Sequence, residues 1–111
     1  MDLLLRHASL IDGTGGPARI ADVAIAGDRI AAVRRPGELA PASGAEVVAL
    51  DGLTLAPGFI DVHTHYDAQV LWDGDLTPSS WHGVTSVLMG NCGFSMAPTR
   101  PEHRDIVVRT L

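Results

Sequence analysis

The chain has 111 residues, of which 46% are hydrophobic, and its formal net charge at pH 7 is −5. Length and composition of this kind suffice for one small core, which argues against intrinsic disorder. The eight basic residues are all arginines scattered along the sequence, so there is no basic stripe to neutralise phosphates. We expect no nucleic-acid partner.

The cysteine content and the start of the chain bear on its compartment. Cys92 is the only cysteine, so an internal disulfide bond is impossible. The apolar run Leu3–Leu5 is too short for a signal peptide or a membrane span. We expect a soluble, cytoplasmic protein with no membrane partner.

Short β-like runs separated by turn residues make up the first half of the chain: Leu3–Leu10, Asp22–Ala26, Arg29–Val33 and Glu46–Leu50. Gly27-Asp28, between the second and third runs, is typical of a tight hairpin because glycine adopts positive φ without a Cβ clash. Residues 35–44, rich in proline, glycine and alanine, form a loop that interrupts the sheet. The pattern predicts a small antiparallel sheet.

The second half has a different pattern. Phe59–Val62 is a nearly continuous apolar strand of the kind buried in parallel sheets, and Val84–Met89 is a second one. Between them, Thr77 is a candidate N-cap and Pro78 suits the first turn of a short helix that ends before Gly83.

A second helical pattern starts at Pro101 and still runs at Leu111. The order strand, helix, strand, helix opens a parallel α/β fold, which two strands cannot close. We therefore expect the chain to be an N-terminal fragment.

Two histidines follow the first apolar strand. Residues two apart on an extended strand share a face, so Asp61, His63 and His65 should point the same way. Two imidazoles on one face can hold one ion, and barrels carry their chemistry at this end of the strands. A pair of surface or hydrogen-bonded histidines is the alternative, although buried imidazoles without partners would be costly.

Cys92 occupies the matching position after the second strand, between Gly90 and Gly93, where a tight turn is expected. A thiolate beside two imidazoles is a zinc-type ligand set. A buried structural cysteine is one alternative. A cysteine nucleophile with a histidine base is another, but it needs one histidine and an orienting group.

Neighbouring polar residues are candidates for supporting roles. Asp61 is placed either to orient an imidazole or to bond the backbone. Tyr66 and Asp67 are candidates for the substrate mouth, and Asn91 for positioning a loop. Surface or packing roles are expected for the remaining histidines: His7, His82 and His103.

The stretch APGFIDVHTH, residues 56–65, resembles the metal-binding signature of the amidohydrolase superfamily. GNCGFS, residues 90–95, narrows the resemblance to the N-acyl-D-amino-acid deacylase (D-aminoacylase) branch. The resemblance implies an α/β fold in which residues 57–111 begin a metal-dependent (β/α)8 barrel whose first strand ends at His65. Residues 1–56 would then be part of a small β-sandwich domain.

The resemblance also implies a ligand set. His63, His65 and Cys92 would hold one or two Zn²⁺ ions, and Cys92 would replace a carboxylated lysine used elsewhere in the superfamily. Zinc would lower the pKa of a bound water to roughly 7 and polarise an amide carbonyl. The other histidine ligands and the aspartate general base are expected beyond Leu111. The fragment alone should therefore be inactive until the remainder of the polypeptide completes the barrel.

The leading hypothesis is the N-terminal portion of a zinc-dependent amidohydrolase that hydrolyses the amide bond of N-acyl-D-amino acids by metal-activated water. One alternative is a cyclic amidohydrolase or deaminase of the same superfamily, such as a dihydroorotase-like or hydantoinase-like enzyme. Another is a non-catalytic protein on the same scaffold, since a fold does not fix a function.

Overall fold

The computed structural model describes residues 1–92, 95 and 98–110. The chain forms two compact units, Met1–Pro57 and Gly58–Leu111. Within the described residues, no helix is both long and apolar enough to cross a bilayer. The domain boundaries expected for the complete protein, 1–56 and 57–111, stay a prediction.

The first unit is one five-stranded sheet. Its strands are β1 (Leu3–Leu10), β2 (Arg19–Ala26), β3 (Arg29–Arg34), β4 (Glu46–Ala49) and β5 (Thr54–Leu55). Their order is β3-β2-β1-β4, and β5 also pairs with β1. Each of the four predicted β-like runs is therefore a strand, and their turn residues separate them as expected.

The sheet is mixed, so the expectation of a purely antiparallel sheet is wrong. β1 pairs with β2, and β2 with β3, in antiparallel register. β4 and β5 pair with β1 in parallel. Residues 35–45 carry the chain from β3 to the other side of β1, and a crossover of this length permits the parallel pairing that a tight hairpin forbids.

A buried carboxylate organises the middle of this sheet. His7 has a φ of 56° and lies where the register of β1 against β2 shifts. Asp22 is fully buried and accepts the backbone N–H groups of His7 at 3.0 Å and Gly37 at 2.8 Å. Burial opposes ionisation of Asp22, but these two hydrogen bonds hold its pKa below the ordinary value.

The second unit has a parallel pair of strands, β6 (Phe59–Asp61) and β7 (Val84–Val87), as the apolar runs predicted. Its helices are α1 (Tyr66–Gln69), α2 (Arg104–Thr110) and two 3₁₀ segments, Ser79–His82 and Pro101–His103. β6 ends at Asp61, so the expectation that the first strand reaches His65 is wrong. The Asp61 Oδ1 atom accepts the backbone N–H of His63 at 3.1 Å, which replaces strand pairing with a local turn.

The connection between β6 and β7 is mostly loop, and Asp73 shapes it. Its carboxylate accepts the Gln69 side-chain amide at 2.9 Å, the Thr77 hydroxyl at 2.7 Å and the backbone N–H groups of Thr77 and Asp75. Thr77 is therefore not an N-cap, because its hydroxyl is bonded to Asp73 and Pro78 holds the cap position of the 3₁₀ segment. The Thr77 hydroxyl, followed by the Gln69 amide, lowers the pKa of Asp73 below its ordinary value.

Candidate metal site

The two histidines of the second unit lie side by side. The ring centroids of His63 and His65 are 5.9 Å apart, and the ring planes differ by 14°. Both residues are exposed and lie beyond the end of β6. The sequence predicted that the two histidines lie close together. The loop after β6 brings them together, and not the alternation of side chains along a strand.

Cys92 reaches the same place from the loop after β7. Its Sγ atom is 2.8 Å from the His63 Nε2 atom, although the two residues are 29 positions apart. One donor atom from each of His63, His65 and Cys92 lies within 4.8 Å of the other two. The structure brings all three predicted ligands together, and Cys92 is half-buried whereas both histidines are exposed.

The donor set fits zinc. Zinc binds imidazole nitrogen at about 2.0 to 2.1 Å and thiolate sulfur at about 2.3 Å, so tetrahedral ligands lie roughly 3.5 Å apart. Donor atoms within 4.8 Å of one another reach that spacing by small side-chain rotations. The 2.8 Å contact between His63 and Cys92 is a hydrogen bond, whose proton must leave when both atoms ligate a metal.

Hydrogen bonds join the two segments that carry these donors, residues 62–67, which run into α1, and residues 88–92. They run from the Thr64 hydroxyl to the Leu88 carbonyl (2.9 Å), from the Asn91 side-chain amide to the Val62 carbonyl (2.6 Å), and from the Gly90 N–H to the Asp67 carboxylate (3.0 Å). The Leu88 N–H also bonds the Asp61 carbonyl at 2.8 Å, which continues the β6–β7 pairing. Backbone positions on both segments are thus fixed around the donor atoms.

The supporting candidates have distinct surroundings. Asp61 bonds the backbone of His63, which matches the second of its two expected roles. Asn91 joins the two segments. Tyr66 and Asp67 are both buried, and the Tyr66 hydroxyl donates a hydrogen bond to the Ser79 hydroxyl. Their place at a substrate mouth stays a prediction.

Sequence reasoning missed the supporting role of Thr64, which is buried and bonded to the Leu88 carbonyl. The sequence did contain a signal for this role: Thr64 lies between the two histidines and, on a strand, would face away from their rings. The three other histidines do not join the site: His82 and His103 are exposed, and His7 lies 3.4 Å from Asp51. The turn predicted at Gly93 lies outside the described residues.

A model of the amidohydrolase family matches residues 46–109. The chain belongs to the amidohydrolase family. The D-aminoacylase of Alcaligenes xylosoxydans xylosoxydans is 50% identical to this amidohydrolase over 97 residues, which cover 87% of the chain and 19% of the relative. The chain therefore spans about a fifth of the length of that relative.

Solved structures give the same assignment. A D-aminoacylase studied for its binuclear metal centre matches with a TM-score of 0.76 and 42% identity, over 96% of this amidohydrolase and 23% of that chain. An N-acyl-D-glutamate deacylase from Bordetella bronchiseptica, in complex with zinc and a phosphonate inhibitor, matches with a TM-score of 0.75 and 39% identity, over 88% and 20%. The predicted α/β amidohydrolase fold and deacylase branch are confirmed.

Proposed function

We propose that this amidohydrolase chain is the metal-binding N-terminal portion of a zinc-dependent enzyme that hydrolyses the amide bond of N-acyl-D-amino acids. The convergence of His63, His65 and Cys92 within 4.8 Å carries the proposal. Relatives named for the deacylation of such substrates support it. In the complete protein, residues 57–111 would begin the (β/α)8 barrel and residues 1–56 would form part of the β-sandwich.

Each residue of the site has a task in this proposal. A zinc ion bound there supplies Lewis-acid chemistry, which polarises an amide carbonyl and makes water acidic enough to ionise near neutral pH. His63 and His65 donate neutral nitrogens, and Cys92 donates a thiolate that offsets part of the positive charge of the ion. The donor set serves one or two ions, and a related structure with a binuclear centre supports room for two.

His63 and His65 lie beyond the end of β6, so a small-molecule substrate that reaches them needs no rearrangement of β6 or β7. Thr64 and Asp67 lie on the buried side and hold the two segments in place. The general base belongs to the remainder of the polypeptide. The present residues therefore bind and orient, and they do not by themselves complete the reaction.

The test uses the complete polypeptide that contains this chain. It should release free amino acid from an N-acetyl-D-amino acid and much less from the L-enantiomer. Exhaustive chelation should abolish turnover, and added zinc should restore it. Equal turnover of both enantiomers, or full activity after chelation, would contradict the proposal.

The same assay separates the alternative functions. A cyclic amidohydrolase would open a cyclic amide or imide faster than it cleaves the linear N-acyl substrate. A deaminase would release ammonia from a nucleobase-like ring. A non-catalytic protein would turn over none of these substrates, even with zinc bound.

A further inference from the structure

One buried carboxylate lies between the two segments that carry the candidate ligands. Asp67 is only 7% exposed, and its Oδ2 atom accepts the backbone N–H of Gly90 at 3.0 Å. Asp67 follows His65 by two residues, and Gly90 precedes Cys92 by two residues. This hydrogen bond is thus one of the links between the histidine segment and the cysteine segment, and it lies two residues from a candidate ligand on each side.

We propose that Asp67 is a positioning residue that sets the place of Cys92 beside His63 and His65. The inference rests on the proposed zinc site. It goes beyond that site because Asp67 itself contributes no donor atom to the cluster formed by the three ligands. Its effect reaches the metal through the backbone of Gly90 and the next two residues.

The strength of the contact favours Asp67 over the other links. Asp67 is buried, so water competes little for the oxygen atom that accepts the Gly90 N–H. The Asn91 link lies on an exposed residue, where water competes for it. Thr64 is buried, but its partner Leu88 is four residues from Cys92. Asp67 therefore combines burial with a bonded partner only two residues from Cys92.

The shape of the turn at Gly90 strengthens the dependence on Asp67. Gly90 has a φ of +78°, and a Cβ atom there would lie 3.1 Å from the Ser95 hydroxyl oxygen and 3.7 Å from Asp67 Oδ1. The Asp67 carboxylate and Ser95 thus lie directly against the turn at Gly90. Without Asp67, the Gly90 N–H would lose the acceptor that fixes this turn two residues before Cys92.

The experiment measures cobalt binding, with Co²⁺ alone as the probe and no substrate. In the complete polypeptide, thiolate-to-cobalt charge-transfer absorption reports ligation by Cys92. Asp67→Ala should weaken Co²⁺ binding by about 10- to 100-fold, the usual cost of removing a residue that orients a metal ligand. At a Co²⁺ concentration that half-saturates the wild type, the charge-transfer band of Asp67→Ala should be weaker than that of the wild type. Asp67→Asn keeps an acceptor oxygen and should retain most of the band.

Asp73→Ala is the matched control. It removes a carboxylate that accepts hydrogen bonds from Gln69, Thr77 and Asp75. None of these three residues belongs to residues 88–92, the segment that carries Cys92. It should disturb the loop between β6 and β7 and leave the charge-transfer band at the wild-type intensity. A general loss of structure would instead weaken the band in both alanine variants.

Unchanged Co²⁺ affinity in Asp67→Ala would overturn the inference, as would a band in Asp67→Asn as weak as in Asp67→Ala. A wild-type protein that binds Co²⁺ with no charge-transfer band would instead remove Cys92 from the ligand set and contradict the proposed site itself. If Asp67→Ala fails to fold, amide hydrogen exchange at Gly90 in the wild type decides the question. Protection supports the inference, and exchange at the rate of an exposed amide overturns it.

Discussion

The buried carboxylate of Asp22 accepts the backbone N–H of His7 at the point where β1 departs from regular pairing with β2. Its second oxygen accepts the N–H of Gly37 in the crossover loop. One side chain thus satisfies two backbone donors that lie outside the strand ladder. The irregular parts of the first unit depend on this residue.

Acid should destabilise the first unit through Asp22. Its pKa in the folded state lies below the ordinary value of 3.8, so ionised Asp22 stabilises the fold above that pH. The contribution is lost as the pH falls through the folded-state pKa, because a protonated carboxyl is a poorer acceptor. Denaturant unfolding at a series of pH values from about 2 to 6 should show this fall in the free energy of unfolding.

Asp22→Asn should make the free energy of unfolding depend less on pH in this acid range. Asp22→Ala should lower the free energy of unfolding at neutral pH by about 1 to 3 kcal/mol, because the backbone N–H groups of His7 and Gly37 lose a charged acceptor. Asp28→Asn is the control, since Asp28 is exposed in the hairpin between β2 and β3. If the free energy of unfolding of Asp22→Asn falls at low pH as much as that of the wild type, groups other than Asp22 cause the pH dependence.

Gly58 should not tolerate a side chain. A Cβ atom there would overlap the side chain of Thr85 on the neighbouring strand β7. Gly58→Ala should therefore force β6 and β7 apart at a cost of about 1 to 3 kcal/mol, measurable as a lower midpoint of thermal unfolding. Gly74→Ala is the control because its added Cβ would meet no atom within 4 Å. Equal midpoints for the two variants would show that Thr85 moves aside freely.

Removal of a candidate ligand should reduce zinc content more than removal of a supporting residue. Cys92→Ala and His63→Ala in the complete protein each delete a donor atom from the cluster. We expect zinc affinity to fall by more than the roughly 100-fold upper range seen for supporting residues, as measured by competition with a chelating dye. His103→Ala, an exposed histidine in the segment Pro101–His103, should bind zinc like the wild type. Wild-type zinc content in Cys92→Ala would end its assignment as a ligand.

The 111-residue polypeptide produced alone should self-associate. Phe59 is 68% exposed and the adjacent Ile60 is 70% exposed, and neighbours on a strand point to opposite faces. The β6–β7 pair therefore presents apolar surface on both faces, which favours aggregation. Sedimentation velocity and binding of a hydrophobic dye test this. A soluble monomer with a cooperative melt and deacylase activity would contradict the expectation.

Local patterns in the sequence predicted four of the five strands of the first unit, although β2 begins at Arg19 and not at Asp22, and β5 was not predicted. Short β-like runs and the Gly27-Asp28 turn predict β2, β3 and the hairpin between them from neighbouring residues alone. The bulge at His7 and the parallel pairing of β4 with β1 have no such signal. Both depend on contacts distant in sequence, such as the bond between Asp22 and Gly37, 15 residues away.

The candidate metal site likewise has features that the sequence predicted and features that depend on contacts distant in sequence. Residue types and spacing predicted His63, His65 and Cys92, because few combinations of side chains suit zinc. The extent of the first strand was predicted wrongly, because the Asp61 carboxylate competes locally for the backbone N–H of His63. The bond between Asp67 and Gly90 joins residues 23 positions apart, and a carboxylate beside a glycine-containing loop gives no indication of it.

The closure of residues 69–77 around Asp73 has an evolutionary consequence. Its described hydrogen bonds run to Gln69, Thr77 and Asp75, all within the same nine-residue stretch. A segment that encodes its own shape can be exchanged for another as one piece, without a change of register between β6 and β7. The sequence between β6 and β7 can therefore change during evolution while the strands that precede the candidate ligands stay unaltered.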